Sequence, residues 1–198
     1  MKLRVFAVVV ASAVFVTSAL AQSVFSAKLK GLNETPIVIS GATGHVTVTI
    51  SPDESSISYE LSYSGLEGSV GTGKSVLVAH IHVGRPTVTG GVSVFFCGQP
   101  TIDVNATTGP HQACPAAAGP GTGHSAVTGT LTSADVTGPA AQGVDPTNPN
   151  NENSFARLVR AIKSGLTYAN VHTSRSPGGE IRGQLKREHR DHDDDDDD

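Results

Sequence analysis

Three histidines are the residues of this sequence whose type and spacing suggest chemistry. His80 and His82 lie two positions apart in an apolar stretch, and His172 lies in a second stretch of alternating character. Alternate side chains of a β-strand share a face, so the first two imidazoles project from one side about 7 Å apart along the chain. If the strand carrying His172 is a neighbour, three imidazoles converge, and this ligand set suits Zn²⁺ or Cu²⁺. A copper or zinc site on His80, His82 and His172 is therefore one of two interpretations. The alternative is three structural histidines that hydrogen-bond to Asn170, Glu180 or backbone carbonyls.

The strand that carries His172 belongs to a predicted β-hairpin with one polar and one apolar face. The segment Ser176-Pro-Gly-Gly179 is typical of a turn between two alternating stretches. Asn170 and His172 fall on the polar face, together with Glu180 and Arg182 of the second strand. We predict structural roles for Asn170, Glu180 and Arg182 beside the metal site, with Glu180 paired either with Arg182 or with the His172 ring. His45, on the polar face of another strand, is a candidate fourth member.

Three longer strings of the sequence resemble motifs of one family. These are Tyr168-Ala-Asn-Val-His-Thr with Pro177-Gly-Gly-Glu-Ile-Arg-Gly-Gln-Leu185, the opening string Phe25-Ser-Ala-Lys-Leu-Lys-Gly-Leu-Asn-Glu-Thr-Pro36, and Ala79-His-Ile-His-Val-Gly84. They resemble the closing, opening and central motifs of the CHRD family, the domain named after chordin that also occurs in bacterial exported proteins. The resemblance spans roughly residues 25–185 and implies a β-sandwich. It implies no particular activity, because this family is defined by fold and sequence.

The remaining patterns also favour a mainly β domain. Alternating or apolar strand signals separated by turn residues recur along the chain. They cover residues 24–30, 44–50, 56–64, 76–83, 92–97 and 126–132, besides the hairpin. One segment with apolar residues at helical spacing, from Phe155 to Ile162, predicts a short helix that Asn153 or Ser154 caps and Gly165 ends. The prediction is a single antiparallel, Greek-key-like β-sandwich of about eight strands with one short α-helix.

The two ends of the chain differ in composition from this domain. Residues 1–21 combine Lys2 and Arg4, an apolar run and a small-residue cleavage site, which predicts a signal peptide rather than a membrane span. We therefore expect a secreted or periplasmic protein with no membrane span after cleavage. Residues 186–198 end in six aspartates and predict a disordered acidic tail, so the domain is assigned to residues 22–185. No basic patch suggests a nucleic-acid partner.

Cys97 and Cys114 are the two cysteines of the chain. An even pair in an exported protein predicts a disulfide, and the alternative is two free thiols or half of a metal site.

These features predict an exported binding or structural module with an extracellular or cell-surface partner. The alternative is a copper- or zinc-dependent enzyme, because an H-x-H strand plus a distant histidine resembles the copper site of Cu/Zn superoxide dismutases. His111 and His124 have no aspartate between them, so the sequence departs from the zinc-binding loop of those enzymes. Fold analogy alone does not establish an activity. The module is therefore the main prediction.

Overall fold

A computed structural model describes residues 22–67, 76–98, 112–118, 123–147 and 153–188. The predicted signal peptide and residues 189–198 of the predicted tail lie outside them. The described residues form nine strands and one α-helix. The strands are β1 (Ser23–Lys30), β2 (Thr43–Ile50), β3 (Ile57–Ser64), β4 (Val76–Val83), β5 (Gly91–Cys97), β6 (Ser125–Leu131), β7 (Thr167–Thr173), β8 (Ile181–Gln184) and β9 (Lys186–Arg187); the helix is α1 (Ser154–Lys163). None of the described helices has the length and apolar character that crossing a membrane requires.

The strands form one antiparallel sheet that nearly closes on itself. The order is β5-β4-β7-β8-β1-β2-β3-β6, with β9 paired to β1. The two end strands approach each other: the backbone N–H of Thr137, just after β6, donates to the Ser93 carbonyl of β5 at 2.8 Å. Across the interior, the Tyr59 hydroxyl donates to the Phe96 carbonyl at 2.6 Å. The predicted mainly β, antiparallel architecture with one helix is therefore confirmed, as a strongly curved sheet around one core.

The inner face of the sheet carries the apolar half of each alternating strand. Val46, Val48 and Ile50 of β2 are fully buried, whereas the residues between them are more exposed. Strand β7 differs, because both of its faces are buried: Val171 packs in the core, and Asn170 on the opposite face is only 3% exposed. Two connections cover that outer face. These covering segments are residues 31–42, between β1 and β2, and residues 84–90, between β4 and β5.

Helix α1 begins and ends at the predicted residues. The Asn153 side chain accepts a hydrogen bond from the Phe155 N–H at 2.9 Å, which satisfies one otherwise unpaired donor of the first turn. Gly165 follows the last turn with a φ of 68°, a conformation that glycine adopts without steric cost. The apolar side of the helix joins the core through Phe155, Leu158, Val159 and Ile162.

The C-terminal boundary of the domain lies beyond the predicted Leu185. Lys186 and Arg187 form β9, in register with Ser26 and Phe25 of β1. The Glu188 N–H also donates to the Val24 carbonyl at 2.9 Å. Two exposed polar residues carry no alternation signal, so the sequence pattern could not distinguish this short strand from a tail.

The predicted disulfide between Cys97 and Cys114 is present. Cys97 ends β5 and is fully buried, and its partner lies 17 positions along the chain. The bond thus ties the connection after β5 back to the sheet.

Removing this crosslink should destabilise the domain by about 3 kcal/mol, because a closed loop of this length restricts the unfolded chain. The test is urea unfolding of the double variant Cys97→Ala/Cys114→Ala against the wild type. Unreduced wild-type protein should also resist alkylation in mass spectrometry. Two alkylated cysteines, or an unchanged unfolding midpoint in the variant, would contradict this prediction.

Candidate metal centre

The three predicted histidines meet on the outer face of two neighbouring strands. β4 and β7 are antiparallel partners, with His82 opposite Tyr168, His80 opposite Asn170, and Val78 opposite His172. One nitrogen from each imidazole lies within 4.8 Å of the others. The ring of His80 lies between the other two, at 4.4 Å from His82 and 4.5 Å from His172. Strand pairing thus brings together histidines that are far apart in the sequence.

Backbone carbonyls lie against Nδ1 of two of these rings. His82 Nδ1 lies 2.9 Å from the Gly90 carbonyl oxygen, and His172 Nδ1 lies 2.8 Å from that of Pro177. A carbonyl only accepts, so the neutral His172 ring must carry its proton on Nδ1 and leave a lone pair on Nε2. His82 faces an oxygen from both nitrogens, because Asn170 Oδ1 lies 3.1 Å from its Nε2, and a neutral ring can donate to only one of them. A hydrogen bond from the second ring nitrogen to a carbonyl commonly orients a metal-ligating histidine.

Two nitrogens of the cluster are buried without a partner. His80 Nδ1 and His172 Nε2 have no hydrogen bond and no measurable contact with solvent. A buried polar atom is normally hydrogen-bonded, because leaving it unpaired costs on the order of 1–3 kcal/mol. Within the described part of the chain, these two atoms are therefore the strongest indication that a ligand belongs here.

The environment keeps the imidazoles neutral. Burial, and next the neighbouring His82 and His172 rings, lowers the pKa of His80 to about 2. Burial also lowers the pKa of His82 to about 4, although the Gly90 carbonyl opposes this shift. Burial lowers the pKa of His172 as well, against the Pro177 carbonyl. Neutral imidazole is the form that binds a transition metal, so the lone pairs are available at neutral pH.

The cluster is somewhat wider than a filled site. Zinc–nitrogen bonds of about 2.0–2.1 Å in a tetrahedral arrangement would place the nitrogens roughly 3.4 Å apart. The observed spread of up to 4.8 Å thus requires the side chains to close by about an ångström. His80 and His82 are 5% and 7% exposed, and His172 is half-buried.

A stack of planar groups supports His82 from one side. The Tyr168 ring lies parallel to the imidazole at 4.6 Å, and the Arg182 guanidinium carbon lies 3.3 Å from the centre of the same Tyr168 ring. The Tyr168 hydroxyl accepts from the Gly90 N–H at 3.1 Å. Arg182 Nη2 donates to the carbonyls of Arg85 and Val88. Covering segment 84–90 is therefore attached to the same strands that carry the histidines.

Asn170 connects the histidines to a carboxyl group that the sequence analysis did not single out. The Asn170 side-chain amide oxygen Oδ1, an acceptor, lies 3.1 Å from His82 Nε2. Glu34, from covering segment 31–42, is 6% exposed and approaches the same amide. Burial raises the pKa of Glu34 to about 7, although the positive charge of Arg182 opposes this shift. The only sequence signal for Glu34 was its place in the opening string.

Glu180 has partners other than the two predicted. Its Oε1 accepts hydrogen bonds from the Ser40 hydroxyl and the Glu67 N–H, both at 2.8 Å, and its Oε2 accepts from the Thr173 hydroxyl at 2.7 Å. The predicted pairing with Arg182 or with the His172 ring is wrong, because these three donors take up the carboxylate and the His172 Nδ1 faces Pro177. Spacing gave the correct face, but it could not identify donors from distant segments.

His45 does not join the cluster. It lies on β2 opposite Ser62 of β3, and its side chain is exposed. Strands β8 and β1 separate β2 from β7 in the sheet, so strand order keeps His45 away from the other three rings.

The fold and the three histidines lie within the span of one known protein family. Residues 25–185 match the CHRD domain, which covers most of the chain and all three histidines. Comparisons with curated proteins and with solved structures return no significant match. The span of the family match agrees with the resemblance of the opening, central and closing strings, and the chain belongs to the CHRD domain family.

Proposed function

We infer that this protein is an exported binding module whose His80, His82 and His172 hold a copper or zinc ion. The observation that carries the proposal is the pair of buried, unpartnered nitrogens, His80 Nδ1 and His172 Nε2, in a cluster of neutral imidazoles. A bound ion would satisfy both atoms. Membership of the CHRD family supports the coarser part of the proposal, a binding or structural module.

In this proposal, some residues bind the ion and others orient the residues that bind it. The three imidazoles supply nitrogen ligands, while the carbonyls of Gly90 and Pro177 orient two of the rings through Nδ1. Asn170 lies against the cluster as a polar neighbour that can accept or donate. A metal held by three protein ligands keeps a coordination position for an outside donor. At that position, the bound ion could coordinate a side chain of an extracellular or cell-surface partner, or a small ligand.

The proposed location is outside the cytoplasm, in the periplasm or the medium. The signal-peptide pattern of residues 1–21 supports this location, and the Cys97–Cys114 disulfide is typical of proteins from an oxidising compartment. The dismutase-like alternative receives no support from the comparisons, and we do not propose it.

The test is titration of the metal-free mature chain with CuSO₄ or ZnCl₂ by calorimetry and thermal unfolding. We expect one ion per chain and a rise in stability of roughly 2.7 kcal/mol at a hundredfold excess over Kd. The His172→Ala variant should lose at least a hundredfold in affinity, because it removes one of three ligands. Its half-buried position makes the substitution tolerable for folding.

The matched control is His45→Ala, an exposed histidine of the same sheet. This control should bind the metal like the wild type, and the acidic residues at the C-terminus are common to all three proteins. Equal affinity of His172→Ala and wild type would show that the metal binds elsewhere and would overturn the proposal.

A further inference from the structure

A second cavity lies on the outer side of the sheet, beside the histidine cluster. It has a volume of about 580 Å³ and lies over β1 and β8, between Leu32 and Ile37 of covering segment 31–42 and the turn at Pro86 and Thr87. This volume is within the range of roughly 300–1,000 Å³ found for small-molecule sites. We call it the β1 cleft. The three histidines do not line it, so it is separate from the proposed metal site.

The charge of the β1 cleft favours an anion. Three cationic side chains from three strands line it: Lys28 of β1, Arg182 of β8 and Lys186 of β9. Glu34 is the one acidic residue among the described residues that line the cleft. Burial raises the pKa of Glu34 to about 7, so near neutral pH this carboxyl compensates only part of the positive charge.

Arg182 is a buried cation whose charge is only partly balanced by the nearby Glu34 carboxyl. Its side chain is 3% exposed, and its guanidinium contacts the Tyr168 ring and the carbonyls of Arg85 and Val88. Within the described part of the chain, no carboxylate lies close enough to Arg182 to form a direct ion pair, unlike the pairs Lys163–Glu54 and Arg175–Glu67. A buried charge is costly unless it is paired, so an anion in the cleft would supply a missing interaction.

One side-chain oxygen of Glu34, which lines the cleft, has no hydrogen-bond partner. Its Oε1 is buried and has no hydrogen-bond partner. A protonated carboxyl can donate one hydrogen bond, and a carboxylate is a strong acceptor for it. Arg182 and Glu34 together thus offer a cation and an O–H donor.

Two aliphatic side chains that line the cleft are unusually exposed. Leu32 and Ile37 are each 62% exposed, although both are large aliphatic residues that are usually buried. They line the cleft together with the three cations. A concave cleft lined by both cationic and aliphatic side chains suits a small amphiphilic molecule better than a flat macromolecular surface.

We propose that the β1 cleft binds a small organic carboxylate. Its head group contacts Lys28, Arg182 and Lys186, and its apolar body packs against Leu32 and Ile37.

The experiment is calorimetric titration of the full mature chain with octanoate, with octanamide as a neutral probe of the same shape. Octanoate is expected to bind at one site, and octanamide at least tenfold more weakly. The variant Lys28→Gln/Lys186→Gln should weaken octanoate binding about tenfold, and Leu32→Ser should weaken it severalfold. Lys28, Lys186 and Leu32 are exposed, so these substitutions leave the core intact.

Matched controls come from neighbouring residues outside the cleft. Lys30→Gln removes an exposed cation of β1, and Ile39→Ser removes an exposed aliphatic residue of segment 31–42; neither residue lines the cleft, and both variants should bind octanoate like the wild type. The His172→Ala variant should also retain octanoate binding, which separates this proposal from the metal site. Equal binding of octanamide, stronger binding of the polar carboxylate galacturonate, or no binding of octanoate at millimolar concentration would each overturn the proposal.

Discussion

Lowering the pH from 7 to 4.5 should reduce the free energy of unfolding of the metal-free protein by at least about 3 kcal/mol, because the lowered pKa of His172 adds to the loss from His80 and His82. In the folded protein, the pKa values of His80 and His82 are about 2 and about 4, whereas unfolded histidine titrates near 6.5. The unfolded chain therefore takes up protons first as the pH falls below 6.5, which favours unfolding by about 1.4 kcal/mol per pH unit for each ring. Over two units the pair contributes a loss of about 5 kcal/mol.

Glu34 opposes this loss. The pKa of Glu34 is raised to about 7 in the folded protein, so between pH 7 and 4.5 the folded form holds more protons at this carboxyl than the unfolded chain does. The sign is the reverse of that for the histidines, and burial of this carboxyl contributes roughly 2 kcal/mol of stability as the pH falls. The Glu34→Gln variant should therefore lose at least about 5 kcal/mol over the same range.

Urea unfolding at pH 7, 5.5 and 4.5 measures both effects. The control is His45→Gln, which removes an exposed histidine and should follow the wild type at every pH. Asp53, whose pKa is lowered to about 2 by the Ser51 and Ser55 side chains, contributes below this window. The interpretation is wrong if wild type and Glu34→Gln lose the same stability on acidification, or if the wild type loses none.

Replacing Glu180 with alanine should destabilise the domain by about 4 kcal/mol at pH 7. This carboxylate is 1% exposed and accepts hydrogen bonds from Ser40, the Glu67 N–H and Thr173. The three donors belong to covering segment 31–42, the residues after β3, and β7. Hydrogen bonds to a charged group contribute about 1.5–3 kcal/mol each, and removing the acceptor leaves buried donors unsatisfied.

Urea unfolding of a graded set of variants tests this estimate. Glu180→Gln keeps one acceptor oxygen and should lose roughly half as much, while Ser40→Ala should lose about 1–2 kcal/mol. Glu60→Ala, an exposed carboxylate of β3, should stay within about 0.5 kcal/mol of the wild type. A loss below about 1 kcal/mol in Glu180→Ala would show that the three hydrogen bonds are readily replaced by water.

The strands were predictable because their alternation follows from burial of one face. Strands β2 and β3 place Val48 and Tyr59 inward at a period of two, and this signal is local in the sequence. The helix was equally clear, because Asn153 and Gly165 are strong end signals. β9 was missed, because two residues are too few to show a period and its pairing depends on β1.

The sequence alone could not establish the histidine cluster, because the cluster depends on which strands are neighbours in the sheet. The H-x-H spacing put His80 and His82 on one face, but the pairing of β4 with β7 brings in His172. Glu34 and the true partners of Glu180 were not predictable. A strand pattern identifies the face of a residue, but it does not indicate whether a distant connection covers that face.

The place of β1 in the sheet has a consequence for how the chain folds. β1 lies between β2 and β8, so one of the first strands in the sequence completes its hydrogen bonds with one of the last. Contacts between residues so far apart close long loops at a high entropic cost, and this topology slows folding. The partners β4 and β7, which bring His82 and His172 together, are also separated by a long stretch of chain. All three imidazoles come together only when β4 has paired with β7. We therefore expect an ion to bind the folded domain and not to start its folding.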